Sequence, residues 1–103
     1  MINDLLKTGR RYRSEMLTVY RDAGAPDEAQ TYAVAFLIPR QAGTAVRRNR
    51  IKRWLREDFR NAQKKRTIDG RFVVRFSGPA DSANHPALTE ELDRIFGEIK
   101  ADV

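Results

Sequence analysis

The chain has 103 residues, no cysteine, a formal net charge of +6 and a pI near 10.2. This length suits one domain with a single modest core, and the absence of cysteine excludes disulfides and thiolate metal sites. With 41% hydrophobic and 33% charged residues, the composition is typical of a globular chain rather than a disordered one. The positive charge favours a polyanionic partner, nucleic acid before an anionic membrane surface.

The N-terminal segment lacks a signal-peptide pattern. Its apolar part is short, and Arg10, Arg11 and Arg13 follow it closely. No apolar run approaches the roughly 18 residues that a membrane-spanning helix needs. We therefore expect a cytoplasmic chain that forms a single domain over residues 1–103.

The first part of the chain predicts a short helix and two strands. Residues 2–8 favour a helix that ends at Gly9. Residues 14–21 alternate in polarity as a half-buried strand does, and residues 22–30 contain turn-forming glycine and proline. Residues 31–38 are nearly all apolar, which predicts a strand covered on both faces.

Residues 44–66, TAVRRNRIKRWLREDFRNAQKKR, predict a long helix with two different sides. Thr44 is its expected N-cap. At about 100° per residue, one side carries the apolar residues Ile51, Leu55, Phe59 and Ala62, with Trp54 at its margin. The other side carries Asn49, Arg50, Lys52, Arg53, Arg56 and Arg60.

This helix concentrates the positive charge of the chain. It has ten Lys or Arg and only Glu57 and Asp58 against them, a balance of +8, whereas the other 80 residues have a balance of −2. Arginine offers planar bidentate donors to phosphate, and lysine offers a point charge. Because so few acids lie within reach, the pattern favours an anion-binding face over a self-paired, solvated one. Asn49 adds a donor and an acceptor for a base edge or a ribose hydroxyl.

The last part of the chain predicts a strand at 70–78 and a helix at 84–100. Pro86 suits the first turn of that helix. Its apolar stripe consists of Leu88, Leu92, Ile95, Phe96 and Ile99. The element order is thus α-β-β-α-β-α, which predicts an α+β sandwich with helices packed on a small mixed sheet.

A self-contained active site is not visible in the sequence. The only histidine, His85, stands beside Pro86 and is expected at a helix start. Motifs of zinc proteases, serine hydrolases and phosphate-binding loops are missing. Carboxylates such as Glu90 and Glu91 resemble solubilising helix residues rather than a metal cluster. These observations favour an RNA- or DNA-binding module without catalytic or metal-binding residues.

Residues 43–59 resemble the protein subunit of bacterial ribonuclease P. That family has a segment of the form G-N-A-V-x-R-N-R-x-K-R-x-x-R-E-x-F. The matching positions are Gly43, Ala45, Val46, Arg48, Asn49, Arg50, Lys52, Arg53, Arg56, Glu57 and Phe59. The flanks LLKTGRRYRSEMLTVY and GRFVVRFSGPA are similar to the first helix and strand of the family and to its last strand.

The resemblance implies both a fold and a function. The fold is a small sandwich like the second domain of ribosomal protein S5, with a left-handed βαβ crossover that departs from the usual right-handed rule. The function is to bind a catalytic RNA and the 5′ leader of precursor tRNA. That RNA removes the leader with bound Mg²⁺, so this chain needs no tightly bound cofactor, no membrane and no obligate protein partner.

The resemblance also implies site residues. The contacts to the catalytic RNA are Arg48, Asn49, Arg50, Lys52, Arg53 and Arg56, and we add Arg60 from the same side of the helix. The leader lies in a cleft between this helix and the sheet, where Tyr20 matches a family aromatic and Thr44 replaces a common asparagine. Because Ile2 and Leu6 stand where the family has phenylalanine, we predict that Phe36 supplies a further stacking surface.

Three other interpretations fit parts of the pattern. RRNRIKRWLRE has some similarity to the recognition helix of a helix-turn-helix or homeodomain protein, but those folds are all-helical. A ribosomal-protein-like structural RNA binder would share the charge and the fold class without a role in tRNA processing. A stand-alone nuclease would need a catalytic cluster that the sequence lacks.

Overall fold

The computed structural model describes residues 2–23, 32–78 and 80–103. The elements are α1 (Ile2–Thr8), β1 (Arg10–Arg13), β2 (Leu17–Asp22), β3 (Tyr32–Leu37), α2 (Ala45–Arg66), β4 (Gly70–Phe76) and α3 (His85–Asp102). Short 3₁₀ turns at Arg40–Ala42 and Ala80–Ser82 precede α2 and α3. Most of the turn predicted at 22–30 lies outside the described residues.

The four strands form one mixed sheet in the order β1-β2-β4-β3. β2 pairs antiparallel with both β1 and β4, whereas β3 and β4 are parallel neighbours. Since α2 connects β3 to β4, it forms the crossover for which the resemblance implies a left hand. The predicted α+β class is confirmed, and a sheet of this kind rules out the all-helical alternative.

Different helices pack against the two faces of the sheet. The first face, which includes Val19, Phe72 and Val74, packs with α2 and α3 into the main hydrophobic core. The second face carries a smaller cluster in which Leu5 of α1 packs with Tyr20 and Val73. Residues that neighbour each other along a strand alternate between these faces.

The long helix docks by the predicted side. The exposed fractions of Ile51, Leu55 and Phe59 are 2%, 0% and 1%. Trp54 is half-buried at the margin of the core, as predicted. Thr44 is the N-cap, and its hydroxyl accepts a hydrogen bond from the backbone N–H of Arg47 at 3.3 Å.

The strand β1 is an element that the sequence analysis did not predict. Three of its four residues are arginine, and only Tyr12 is buried. The Tyr12 hydroxyl donates a hydrogen bond of 2.9 Å to Asp102, at the end of α3. Burial, followed by this hydrogen bond, raises the pKa of Tyr12. The pairing with β2, the buried Tyr12 ring and this distant partner together hold an arginine-rich segment in the sheet.

The strand β3 differs from its prediction. It was expected to be covered on both faces, but it is an edge strand that pairs only with β4, and all six of its residues are half-buried. On the first face Val34 and Phe36 pack against the main core, while on the second face Ala33 and Ala35 are small and Leu37 packs against the smaller cluster. The apolar run therefore marks an edge strand that is partly covered on both faces rather than a fully covered central strand.

Glu91 is a buried structural residue and not the solubilising one expected. Its exposed fraction is 4%. Its Oε1 atom accepts hydrogen bonds from the backbone N–H groups of Met16 at 2.7 Å and Leu17 at 3.2 Å, and from the Ser14 hydroxyl. One carboxylate of α3 thus satisfies the donors of the turn between β1 and β2.

We predict that Glu91→Gln destabilises the fold by about 1–3 kcal/mol, because charge-assisted hydrogen bonds to buried donors are weakened. Urea unfolding of the two proteins measures this difference. Glu90→Gln is the matched control, since Glu90 is the adjacent residue and is exposed. Equal stability of the two variants would contradict a structural role for Glu91.

Candidate nucleic-acid interface

A stripe of exposed polar and basic side chains runs along α2, opposite its buried side. It consists of Asn49, Arg50, Lys52, Arg53, Arg56, Arg60 and Lys64. From Arg50 to Lys64 the helix rises about 21 Å. We call this set the basic stripe. It contains every predicted RNA contact except Arg48, and it adds Lys64, which the sequence analysis did not single out.

The basic residues at the two ends of α2 are paired with acids. Arg47 forms an ion pair with Asp81, in the 3₁₀ turn before α3. Lys65 and Arg66 both contact Asp93 of α3, at 3.3 Å and 2.6 Å. The hydrogen bond from Arg66 is the main cause that lowers the pKa of Asp93, which keeps this carboxylate ionised. These pairs fix the helix ends against the rest of the fold.

The cations of the basic stripe have no such partners. Within the described part of the chain, none of them makes an ion pair or a side-chain hydrogen bond. Like charges that repeat at helical spacing repel each other unless an anion lies between them. The stripe is therefore a surface suited to a polyanion.

Asp58 does not neutralise the basic stripe, although it lies on the same helix, close in sequence to several of the stripe's cations. Its side chain is 5% exposed and faces α3, where Oδ1 lies 3.0 Å from Nε2 of His85. The His85 ring stacks on Trp54 with centroids 5.2 Å apart and an interplanar angle of 4°. His85 is the first residue of α3, as expected. Only Glu57 remains as an exposed acid of α2.

Arg48 has a local structural contact that the sequence analysis missed. It is half-buried, and its Nε donates a hydrogen bond of 3.1 Å to the carbonyl oxygen of Gly43. Together with the Thr44 cap, this contact fixes the start of α2. The glycine and arginine of the family segment are thus neighbours in space, five residues apart in sequence.

The predicted cleft residues do not come together. Tyr20 lies on the second face, 7% exposed, beside Leu5 and Val73. Phe36 lies on the first face, with its ring edge-on to Phe59 at a centroid distance of 6.2 Å. Tyr20 and Phe36 therefore do not share a face, because the strand register places them on opposite sides of the sheet. Their predicted contact with the leader stays a prediction. The side chain of Ile2 lies outside the described residues, and Leu6 is 36% exposed.

The acidic residues and the histidine do not converge. Within the described ranges, no three Asp, Glu or His side chains lie close enough together to hold a metal ion. Among the described helices, none is long and apolar enough to cross a membrane. The chemistry that the surface offers is therefore charge and hydrogen bonding toward a polyanion.

Comparison with known proteins identifies the family. The sequence model of the family described as Ribonuclease P matches residues 1–100. The ribonuclease P protein component of Nocardioides sp. is 32% identical over 100 residues, which cover 97% of this chain and 86% of that protein. The corresponding protein of Acidothermus cellulolyticus is 33% identical over 95 residues, covering 92% of this chain and 78% of that protein.

A solved structure agrees with the fold. The ribonuclease P protein of Staphylococcus aureus superposes with a TM-score of 0.77 at 21% identity, covering 96% of this chain and 88% of that chain. This similarity concerns the arrangement of helices and strands, whereas the sequence matches carry the family assignment. The chain belongs to the family of ribonuclease P protein components.

Proposed function

We propose that this chain, as a ribonuclease P protein component, binds the catalytic RNA through the basic stripe and holds the 5′ leader of precursor tRNA against the second sheet face. In this way it assists the endonucleolytic removal of the leader that forms the mature 5′ end of tRNA. The observation that carries the proposal is the row of unpaired cations on one rigid, well-packed helix.

The basic stripe suits a folded RNA. Its cations project from a helix whose opposite side is almost fully buried, so their spacing is fixed before RNA binds. Contacts from such a surface to phosphates replace condensed counterions, which makes binding strong at low salt and weak at high salt. Asn49, at the start of the stripe, offers the hydrogen bonds that a ribose hydroxyl or base edge requires.

The second sheet face suits a single-stranded nucleic acid such as the leader. Tyr20 is held there under Leu5, and within the described residues its hydroxyl has no hydrogen bond. Leu6, the next residue of α1, has a partly exposed side chain. Thr44 caps α2 at the end of the sheet where β3 stops. We assign Tyr20 and Thr44 to the leader-binding surface and place Phe36 in the core.

The proposal assigns the chemistry of cleavage to the RNA. Mg²⁺ is assigned to the catalytic RNA, where it would activate the attacking water. Within the described residues, no three Asp, Glu or His side chains lie close enough together to hold a metal ion. The protein contributes by neutralising phosphate repulsion and by orienting the leader, which lowers the Mg²⁺ that the complex needs.

The purified protein should not cleave precursor tRNA by itself, but it should stimulate a bacterial ribonuclease P RNA at low Mg²⁺. Cleavage assays with nuclease-treated protein, with RNA alone and with the reconstituted complex test this expectation. Leader cleavage by RNA-free protein would refute the proposal. Tight RNA binding without stimulation would favour the structural RNA-binding alternative.

Arg53→Ala should weaken binding to the catalytic RNA and flatten the slope of log affinity against log salt by about one. Its melting temperature should barely change, because substitutions at exposed sites alter stability by less than about 0.5 kcal/mol. Arg94→Ala is the matched control, an exposed and unpaired arginine on α3. If both variants lower affinity equally, the stripe is not the binding surface.

Tyr20→Phe should weaken binding of leader-bearing precursor tRNA by the reconstituted complex and leave mature tRNA binding unchanged. The substitution keeps the packing of the ring against Leu5 and Val73 and removes only the unpartnered hydroxyl. Titrations of both tRNAs, with a melting curve for the variant, provide the measurement. Equal losses for the two tRNAs would mean that the leader does not reach this residue.

A further inference from the structure

A groove of about 560 Å³ runs between α2 and α3 and contains no residue of the basic stripe. Its walls include Asp58, Ala62 and Lys65 of α2 and Pro86, Glu90 and Asp93 of α3. The spacing is the same on both helices, four residues and then three, so each wall is one face of a helix. From Asp58 to Lys65 the helix rises about 10 Å. A groove of this size is within the range of small-molecule binding sites.

The Asp58 carboxylate in the wall of this groove is only half satisfied. Its side chain is 5% exposed, and its Oδ1 atom lies 3.0 Å from Nε2 of His85. Its Oδ2 atom is buried and has no hydrogen-bond partner, a state that only one other buried side-chain nitrogen or oxygen of the described residues shares. Because a buried oxygen without a donor costs free energy, Asp58 offers an unused acceptor to a group that enters the groove.

Two hydrogen-bond donors in the walls of the groove are engaged elsewhere. Lys65 contacts Asp93 at 3.3 Å, and the Thr89 hydroxyl donates a hydrogen bond of 2.9 Å to the carbonyl oxygen of His85. Neither of them reaches Oδ2 of Asp58. A donor for this oxygen therefore has to come from a molecule that binds in the groove.

The charge of the groove favours a cation. Three acids line it, Asp58, Glu90 and Asp93, against a single lysine, Lys65. Asp93 already pairs with Lys65 and Arg66, whereas Glu90 is exposed and makes no ion pair within the described residues. In that same part of the chain, no three Asp, Glu or His side chains lie close enough together to hold a metal ion. Acids that are spread along a groove in this way suit an extended organic cation.

We propose that this groove binds a small organic cation in which an ammonium or amidinium group is joined to an apolar body. An N–H group of the cation donates to Oδ2 of Asp58, and Glu90 supplies the second negative charge. The apolar body lies against Ala62 and Pro86. Hydrogen bonds between charged groups are stronger than those between neutral groups, above all where water is excluded. The inference goes beyond RNA binding and does not depend on it, because the groove shares no residue with the basic stripe.

The test titrates benzamidine into the purified full-length protein in the absence of RNA. Calorimetry measures the affinity, and the fluorescence of Trp54, the only tryptophan of the chain, reports on the groove because its ring stacks on His85. Benzamidine should bind and change this fluorescence. Two related probes should bind at least about tenfold more weakly. Benzamide has the same shape without the charge, and phenyltrimethylammonium has the charge without an N–H group.

Substitutions locate the site. Asp58→Asn keeps the shape of the side chain and should weaken benzamidine binding by at least about tenfold. Glu90→Gln removes an exposed charge and should weaken binding by about twofold. Glu98→Gln is the matched control, an exposed glutamate of α3 outside the groove, and should bind as the wild-type protein does. Thr89→Phe places a ring at an exposed position of the groove wall, so it should block binding in a folded protein.

Melting curves of the variants separate loss of binding from loss of fold. If Asp58→Asn does not fold, Thr89→Phe decides the result. The inference is overturned if the wild-type protein does not bind benzamidine, if the three probes bind equally, or if a folded Thr89→Phe variant binds as the wild-type protein does. Because the titrations contain no RNA, their failure leaves the proposed function unaffected.

Discussion

The packing of one ring, Phe59, holds the architecture together. Its centroid lies 5.1–6.2 Å from the rings of Tyr32, Phe36, Phe72 and Phe96, which come from β3, β4 and α3. The Phe59 ring of α2 is inserted among both parallel strands and the last helix. This packing fixes the rotation of α2 about the helix axis. Any rotation that turned the basic stripe toward the sheet would remove Phe59 from the core and bury charged groups, at a cost of several kcal/mol.

The distribution of acids explains why the stripe keeps its charge. Asp58 turns inward to His85, Glu91 turns inward to the turn between β1 and β2, and Asp93 pairs with the last turn of α2. Each of these acids has a structural partner, so none of them is available to the middle of the helix. The fold thus uses these three carboxylates for internal contacts and leaves the stripe with Glu57 as its one acidic neighbour on α2, which is an arrangement expected of a nucleic-acid-binding surface.

The sequence was sufficient where a feature depends on neighbours along the chain. Helical periodicity identified the buried side of α2, and the threonine before it identified the cap. The sequence was insufficient where a feature depends on residues that are far apart along the chain. β1 has one buried residue, Tyr12, and its hydroxyl bonds to Asp102, ninety residues away in the sequence. Alternation shows that Tyr20 is on one face of its own strand, but only the register through β4 shows that Phe36 is on the other.

The connection between the sheet and α2 also has a mechanical consequence. Two hydrogen bonds hold the chain between β3 and α2. The backbone N–H of Ala42 donates to the Pro39 carbonyl oxygen at 3.0 Å, and Nε of Arg48 donates to the Gly43 carbonyl oxygen. The second sheet face and the basic stripe therefore belong to one rigid body. Under the proposed function, RNA bound to the stripe brings the single-stranded leader to the sheet at a high effective concentration. Under the proposed function, this rigidity is how the protein assists cleavage, because it fixes the substrate relative to the catalytic RNA.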